Sequence, residues 1–169
     1  MADMLIKLYE LADDWQFLSK QQALGIAIRK PIGPEKHGII AWVADHFSAG
    51  WASETDVALS NRPCTCFAAV KDLKIVGFAC YDATALGFFG PIGVEKSHRK
   101  KGTGTALMTA CLLDMKLKGY GYAIVGAVKD TKFYENAVGA IEIPDSSLGI
   151  YKTRVHNVEA DRQDSSQTR

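Results

Sequence analysis

The sequence has no hydrophobic run that approaches the length of a membrane-spanning helix. Its first residues, MADMLIKLYELADDW, carry acids where a secretory signal has cations, and Lys7, Glu10 and Asp13 interrupt the apolar positions. The sequence also has no large excess of either positive or negative charge, since the formal net charge of the 169 residues is +1. We therefore expect a cytoplasmic protein that binds neither a membrane nor a nucleic acid.

Cysteine is scarce, and its arrangement does not suit a metal ion. The pair Cys64 and Cys66 has no second ligand pair, while Cys80 and Cys111 lie in apolar stretches. Reduced, buried thiols are the expected state of all four. The histidines are not spaced along the sequence as metal ligands are, so we predict no structural metal. The histidines are His37, His46, His98 and His156.

The length of the chain fits one domain with a substantial core. We predict that residues 1–153 form this domain, with 1–23 as an N-terminal extension packed on it. The polar residues 154–169 have no sustained apolar stripe and are predicted to be a disordered tail.

Hydrophobic periodicity and turn residues predict a mixed α/β (α+β) sheet flanked by helices. Short links between the apolar runs that start at Cys64, Lys74 and Ala85 predict an antiparallel meander of three strands. A strand precedes this meander in Leu24–Gly33, followed by a helix that opens at Pro34 and one over Ala52–Leu59 with Ser53 as its cap. After the meander we expect a helix over Gly102–Lys118 that Gly119 ends, a strand from Tyr122, a short helix over Thr131–Ala137 and a last strand near Ile141 or Ile150. The segment Leu5–Leu11 fits a strand or a short helix.

The junction before the helix at Gly102 has the composition of an anion site. Three cations, Arg99, Lys100 and Lys101, precede Gly102 and Gly104. A helix N-terminus exposes unpaired N–H groups, and glycine lets phosphate oxygens approach the backbone. Turn-forming glycines beside solvated cations would give the same pattern. The spacing fits neither a Walker loop nor the dinucleotide fingerprint, so ATP and NAD are not indicated.

The segment from Arg99 to Gly104 resembles the R/Q-x-x-G-x-G/A signature of the GNAT superfamily of N-acetyltransferases. Thr105-Ala106-Leu107 is similar to the start of that family's pyrophosphate-binding helix, and "KFYENAVGA", Lys132 to Ala140, looks like its second motif. The order of elements from Gly25 to Tyr151 resembles the family fold. Pro91 is compatible with the bulged fourth strand of that fold, or it merely ends an edge strand.

The resemblance implies transfer of an acetyl group from acetyl-CoA to an amine by direct attack in a ternary complex. Backbone N–H groups of Arg99 to Thr105, which we call the phosphate loop, and the Thr105 hydroxyl would hold the pyrophosphate. Backbone groups of the fourth strand would hold the pantetheine arm and the acetyl carbonyl. Tyr134 would be the acid that protonates the departing thiolate. A homodimer is compatible with the resemblance. The implied cofactor-binding residues are Ile92, Val94, Arg99, Lys100, Lys101, Gly102, Thr103, Gly104 and Thr105.

The resemblance assigns neither the acceptor nor a general base. Candidate carboxylates are few and do not form a cluster suited to a polycation, so a small-molecule amine is the expected acceptor. A non-catalytic acyl-CoA-binding module and an acetyltransferase for protein N-termini or lysines are the alternatives. The carboxylates considered are Glu54, Asp56, Asp82 and Glu95.

Overall fold

A computed structural model describes residues 1–155 of the chain. The chain forms seven strands and five α-helices in the described residues. Short 3-10 turns cover Leu8–Glu10, Gly33–Glu35, Lys96–His98 and Gly149–Thr153. The larger elements are β1 (Met4–Lys7), α1 (Gln16–Gln22), β2 (Ala27–Arg29), α2 (Lys36–His46), α3 (Ala49–Ser60), β3 (Cys66–Lys71), β4 (Lys74–Tyr81), β5 (Phe88–Val94), α4 (Thr103–Leu117), β6 (Tyr122–Val125), α5 (Thr131–Val138) and β7 (Ile141–Glu142).

All seven strands belong to one sheet with the order β2-β3-β4-β5-β6-β1-β7. The predicted meander of β3, β4 and β5 is confirmed, and β5 with β6 is the parallel pair in this otherwise antiparallel sheet. The predicted mixed α/β sheet in a single domain is thus confirmed. Of the two positions considered for the last strand, Ile141 is strand and Ile150 lies in a 3-10 turn.

The N-terminal segment differs from the extension that the sequence predicted. Residues of β1 pair with β6 on one side and β7 on the other, so this strand is an interior member of the sheet. Met4 and Ile6 are completely buried in the core. The ambiguous stretch that follows Leu5 is a strand succeeded by a 3-10 turn. Of the predicted tail, residues 156–169 lie outside the described part of the chain.

The sheet separates two buried clusters. Along β4, Ala79 and Tyr81 belong to the cluster under α4, whereas Phe78 and Cys80 belong to the cluster under α2 and α3. This alternation follows from the two-residue period of a strand and shows that both faces of the sheet are covered. The cysteines are all free thiols. Cys66, Cys80 and Cys111 are buried as predicted, whereas Cys64 is only half-buried.

The helix boundaries follow from local capping. α3 begins three residues before the predicted start, because the Ser48 side chain accepts the Trp51 N–H. Ser53 is therefore not the cap, and its hydroxyl donates within the helix to the Ala49 carbonyl. After α4, Gly119 adopts φ +96° and ends the helix as predicted. None of the helices described in residues 1–155 could cross a bilayer.

Candidate active site

The parallel strands β5 and β6 separate after the first two residues of β5. Their registered pairs are Phe88 with Ile124 and Phe89 with Val125, and no β6 partner faces the rest of β5 among the described residues. On its other side, β5 pairs with β4 through Phe89 with Tyr81 and Ile92 with Ala79. Two residues of β5 lie between these pairs, but only one residue of β4 does. This extra residue is a β-bulge at Gly90 and Pro91, which confirms the bulge that Pro91 indicated.

The separation leaves backbone groups of β5 available at the edge that faces β6. Glu95 donates its N–H to the Val76 carbonyl, so it belongs to a hydrogen-bonded pair with β4. Because hydrogen-bonded and non-hydrogen-bonded pairs alternate along an antiparallel ladder, Val94 and Ile92 turn their N–H and C=O groups away from β4. The Val94 carbonyl is accordingly free to accept from Arg99 Nε at 2.9 Å. A slot lined by strand backbone therefore lies beside Ile92 and Val94.

The N-terminus of α4 lies just beyond the C-terminal end of β5. Its cap position is Gly102 at φ +76°, a left-handed conformation that favours glycine. Gly102 has no side chain to cap the helix, and the first intrahelical bond runs from the Ala106 N–H to the Gly102 carbonyl. The N–H groups of Thr103, Gly104 and Thr105 thus have no intrahelical partner and point out of the helix end.

Gln21 of α1 holds the loop before α4 in place. Its Nε2 donates to the Lys101 carbonyl at 3.0 Å, and its Oε1 accepts the Thr103 hydroxyl at 2.9 Å. Gln21 and Thr103 are both buried. The Thr103 side chain therefore has a structural role, while the exposed Thr105 hydroxyl remains available for a ligand. Sequence patterns do not indicate Gln21, because its partners are 80 and 82 residues away along the chain.

The three cations surround this helix end without carboxylate partners among the described residues. Arg99, Lys100 and Lys101 are exposed, and Lys100 takes a left-handed φ of +61°. The acid closest in sequence, Glu95, lies 2.9 Å from Nδ1 of His98 instead. Unpaired positive side chains beside open N–H groups favour an anion with several oxygens.

Tyr134 lies in the first turns of α5, beside the point where β5 and β6 separate. Its ring packs edge-on against Phe89 with 6.4 Å between centroids, and Phe89 belongs to the last β5–β6 pair. Burial, with a smaller effect of the Asp130 carboxylate, raises the pKa of Tyr134 to about 12. The phenol is therefore protonated at neutral pH, and its hydroxyl makes no hydrogen bond within residues 1–155 although it is not sealed from solvent.

The four candidate carboxylates lie in different surroundings. Asp56 is exposed and pairs with Lys36 at 2.7 Å. Asp82 accepts the Gly87 N–H and the Tyr120 hydroxyl, so it shapes the loop before β5. Glu54 is half-buried and accepts the Thr84 hydroxyl. The described residues contain no group of three His, Cys, Asp or Glu side chains placed to hold a metal ion.

The chain belongs to the acetyltransferase (GNAT) family, whose model matches residues 34–140. This segment contains the strand separation, the α4 N-terminus, Glu54 and Tyr134, and leaves β1, α1 and β2 outside. No curated protein matches the chain.

Solved structures share the fold at low identity. The GCN5-related glucosamine N-acetyltransferase region of a fungal multi-domain GH3 β-N-acetylglucosaminidase superposes with a TM-score of 0.68 at 12% identity, over 84% of this chain and 19% of that one. A GCN5-related N-acetyltransferase from Sphaerobacter thermophilus gives 0.63 at 20% identity, over 84% and 48%. A ribosomal-protein-alanine N-acetyltransferase from Brucella melitensis biovar Abortus 2308 gives 0.54 at 19%, over 78% and 98%. The chain thus spans less than half the length of the first two.

Proposed function

We propose that the chain is an acetyl-CoA-dependent N-acetyltransferase that acetylates a primary amine of a small molecule by direct attack in a ternary complex. The observation that carries this proposal is the uncapped N-terminus of α4 at the end of the slot beside β5, with three cations that have no carboxylate partner within residues 1–155. Membership of the acetyltransferase family supports the choice of acyl donor.

The phosphate loop supplies the groups that a pyrophosphate requires. N–H groups from Arg99 to Thr105, together with the Thr105 hydroxyl, donate hydrogen bonds to its oxygens, and the partial positive charge of the helix end adds to them. Lys100 and Lys101 provide charge at the rim. Arg99 braces the loop through its bond to the Val94 carbonyl and leaves the rest of its guanidinium exposed.

Backbone groups in the slot can orient the acyl arm. The outward N–H groups of Ile92 and Val94 and the outward C=O group of Ile92 offer a strand-like edge to the amide groups of pantetheine. An N–H at this edge also stabilises the negative charge that develops on the acetyl oxygen during attack. Tyr134 then donates its proton to the sulfur as the C–S bond breaks.

Substitution of Tyr134 by Phe tests this role. We expect the variant to keep its affinity for CoA, measured by calorimetry, and to lose on the order of 100-fold in kcat, because general acid catalysis is removed while the ring remains. The assay measures thiol release from acetyl-CoA over a panel of primary amines. Tyr122→Phe is the matched control, since Tyr122 lies on the exposed end of β6 and packs against Tyr9.

Three other outcomes would exclude part of this proposal or indicate a different function. Equal kcat in wild type and Tyr134→Phe would exclude the acid role. Tight CoA binding with no turnover of any amine or peptide would indicate a non-catalytic acyl-CoA-binding module. Protein labelling in a lysate with labelled acetyl-CoA, combined with inactivity on the amine panel, would indicate a protein acetyltransferase.

A further inference from the structure

A polar cluster on the α3 side of the sheet consists of residues that the proposed cofactor contacts do not use. It consists of Glu54 from α3, Thr84 from the loop between β4 and β5, and Tyr151 and Arg154 from the C-terminal 3-10 turn and the residue after it. Thr84 Oγ1 donates to Glu54 Oε1 at 2.5 Å, and the Tyr151 hydroxyl lies near enough to the Thr84 side chain for Thr84 to lower the pKa of Tyr151. We call these four residues the Glu54 cluster.

The Glu54 cluster borders the place where β5 and β6 separate. A Cβ added to Gly126, directly after β6, would lie 3.0 Å from Cε2 of Tyr151 and 3.3 Å from Cε1 of Phe88. Phe88 pairs with Ile124 in the last stretch of the parallel ladder. The ring of Tyr151 therefore lies over Gly126, beside the mouth of the slot, and Thr84 lies between it and the Glu54 carboxyl.

The cluster and Tyr134 approach this mouth from opposite faces of the sheet. Phe89 packs against Tyr134, and its side chain belongs to the core under α4. Phe88 is the preceding residue, so its side chain points to the opposite face, where its ring and that of Tyr151 both lie beside Gly126. A thioester carbonyl held between the strands would have the Tyr134 phenol on one side and the Glu54 cluster on the other.

Burial makes the Glu54 carboxyl more basic than an exposed glutamate. Its pKa is raised by desolvation, while the hydrogen bond from Thr84 and the charge of Arg154 act in the opposite direction. Tyr151 is the neighbouring titratable group, and its own pKa is raised by burial. Besides Glu54 and Arg154, the charged side chain of Asp3 lies near Tyr151, and its negative charge also raises the pKa of Tyr151. A carboxylate of raised pKa suits the removal of a proton near neutral pH.

We propose that Glu54 is the general base that takes a proton from the acceptor ammonium, an assignment that rests on the proposed acetyl transfer. One proton of R–NH₃⁺ passes to the Glu54 carboxylate, directly or through one water molecule, and then to solvent. The neutral nitrogen forms the new N–C bond with the acetyl carbon, and the C–S bond breaks. Tyr134 gives its proton to the thiolate and regains one from the nitrogen, so the amide forms with both residues restored.

The test compares pH profiles of kcat/KM for wild type, Glu54→Gln, Glu54→Asp and Asp56→Asn on the best amine of the panel. Asp56 is the matched control, because it lies two residues away on the same helix and pairs with Lys36. We expect Glu54→Gln to lose about 100-fold near neutral pH and to lose the acid limb of the profile, while Glu54→Asp retains that limb. Asp56→Asn should match wild type. Thermal unfolding and CoA calorimetry establish that each variant folds and binds.

Two results would overturn the assignment and are distinguishable. An active wild type whose profile and kcat/KM are unchanged in Glu54→Gln would exclude Glu54 as the base and leave the proposed function standing. A wild type that binds CoA and acetylates no amine at any pH would overturn the proposed function and this assignment together.

Discussion

At the scale of single residues, the loop before α4 depends on one amide side chain. Gln21 is the contact through which α1 fixes Lys101 and Thr103, and both of its polar ends are used. A buried amide that donates and accepts in one rotamer defines the position of both partners. The open N–H groups at the start of α4 are therefore held in place by a residue outside the family segment 34–140.

Replacement of Gln21 by Met keeps the volume and removes both hydrogen bonds. We expect the free energy of unfolding to fall by roughly 1–3 kcal/mol, because the buried Thr103 hydroxyl and the Lys101 carbonyl lose their partner. The loop should also bind CoA several-fold more weakly. Denaturant unfolding and calorimetry measure the two effects, and Gln22→Met, at the exposed neighbouring position, is the control. Unchanged stability and CoA affinity would contradict the positioning role.

At the scale of elements, α2 and α3 dock on the sheet through aromatic rings. Phe47, between the two helices, stacks on Trp51 with 5.3 Å between centroids and packs against Phe78 of β4. The same ring covers Gly93 of β5, where an added Cβ would overlap it. Gly93 thus allows the helices to approach the strand that lines the slot.

A Cβ at Gly93 tests this close approach. We expect Gly93→Ala to destabilise the protein by about 1–3 kcal/mol, because the methyl group forces the Phe47 ring out of its position. Gly121→Ala is the control, since a Cβ there meets no atom within 4 Å. The measurement is the shift of the denaturant midpoint at constant slope. Equal midpoints for the two variants would show that the ring can yield without cost.

Local patterns in the sequence were sufficient for the elements and insufficient for their long-range contacts. A few adjacent residues are enough to predict the meander, the bulge at Pro91 and the end of α4 at Gly119. The structure confirms all three. The sequence predicts the start of α3 too late, because Ser48 and Ser53 offer the same capping chemistry and only the fold decides between them. Gln21 and Tyr151 reach the site from distant segments, for which a single sequence carries no signal.

At the scale of the whole molecule, strands outside the matched family region complete the sheet. β1 pairs with β6 across four residue positions and also carries β7. Asp3 joins the two ends of the described chain, since its N–H donates to Ser146 Oγ at 2.8 Å and its carboxylate accepts the Ala127 N–H at 2.8 Å. The strand β6, which forms one wall of the slot, is therefore supported by the first residues of the chain.

This arrangement predicts that residues 34–140 alone do not form the functional unit. Removing β1 exposes the edge of β6 and the apolar surface that Met4, Ile6 and Leu8 cover, and removing α1 leaves the α4 loop without Gln21. We expect the fragment 34–140 to show no cooperative thermal transition and no CoA binding, whereas the fragment 1–155 shows both. Circular dichroism on heating and calorimetry with CoA distinguish the two fragments. A cooperative transition and CoA affinity in 34–140 equal to those of 1–155 would mean that the slot is supported within the family segment and that β1 only covers it.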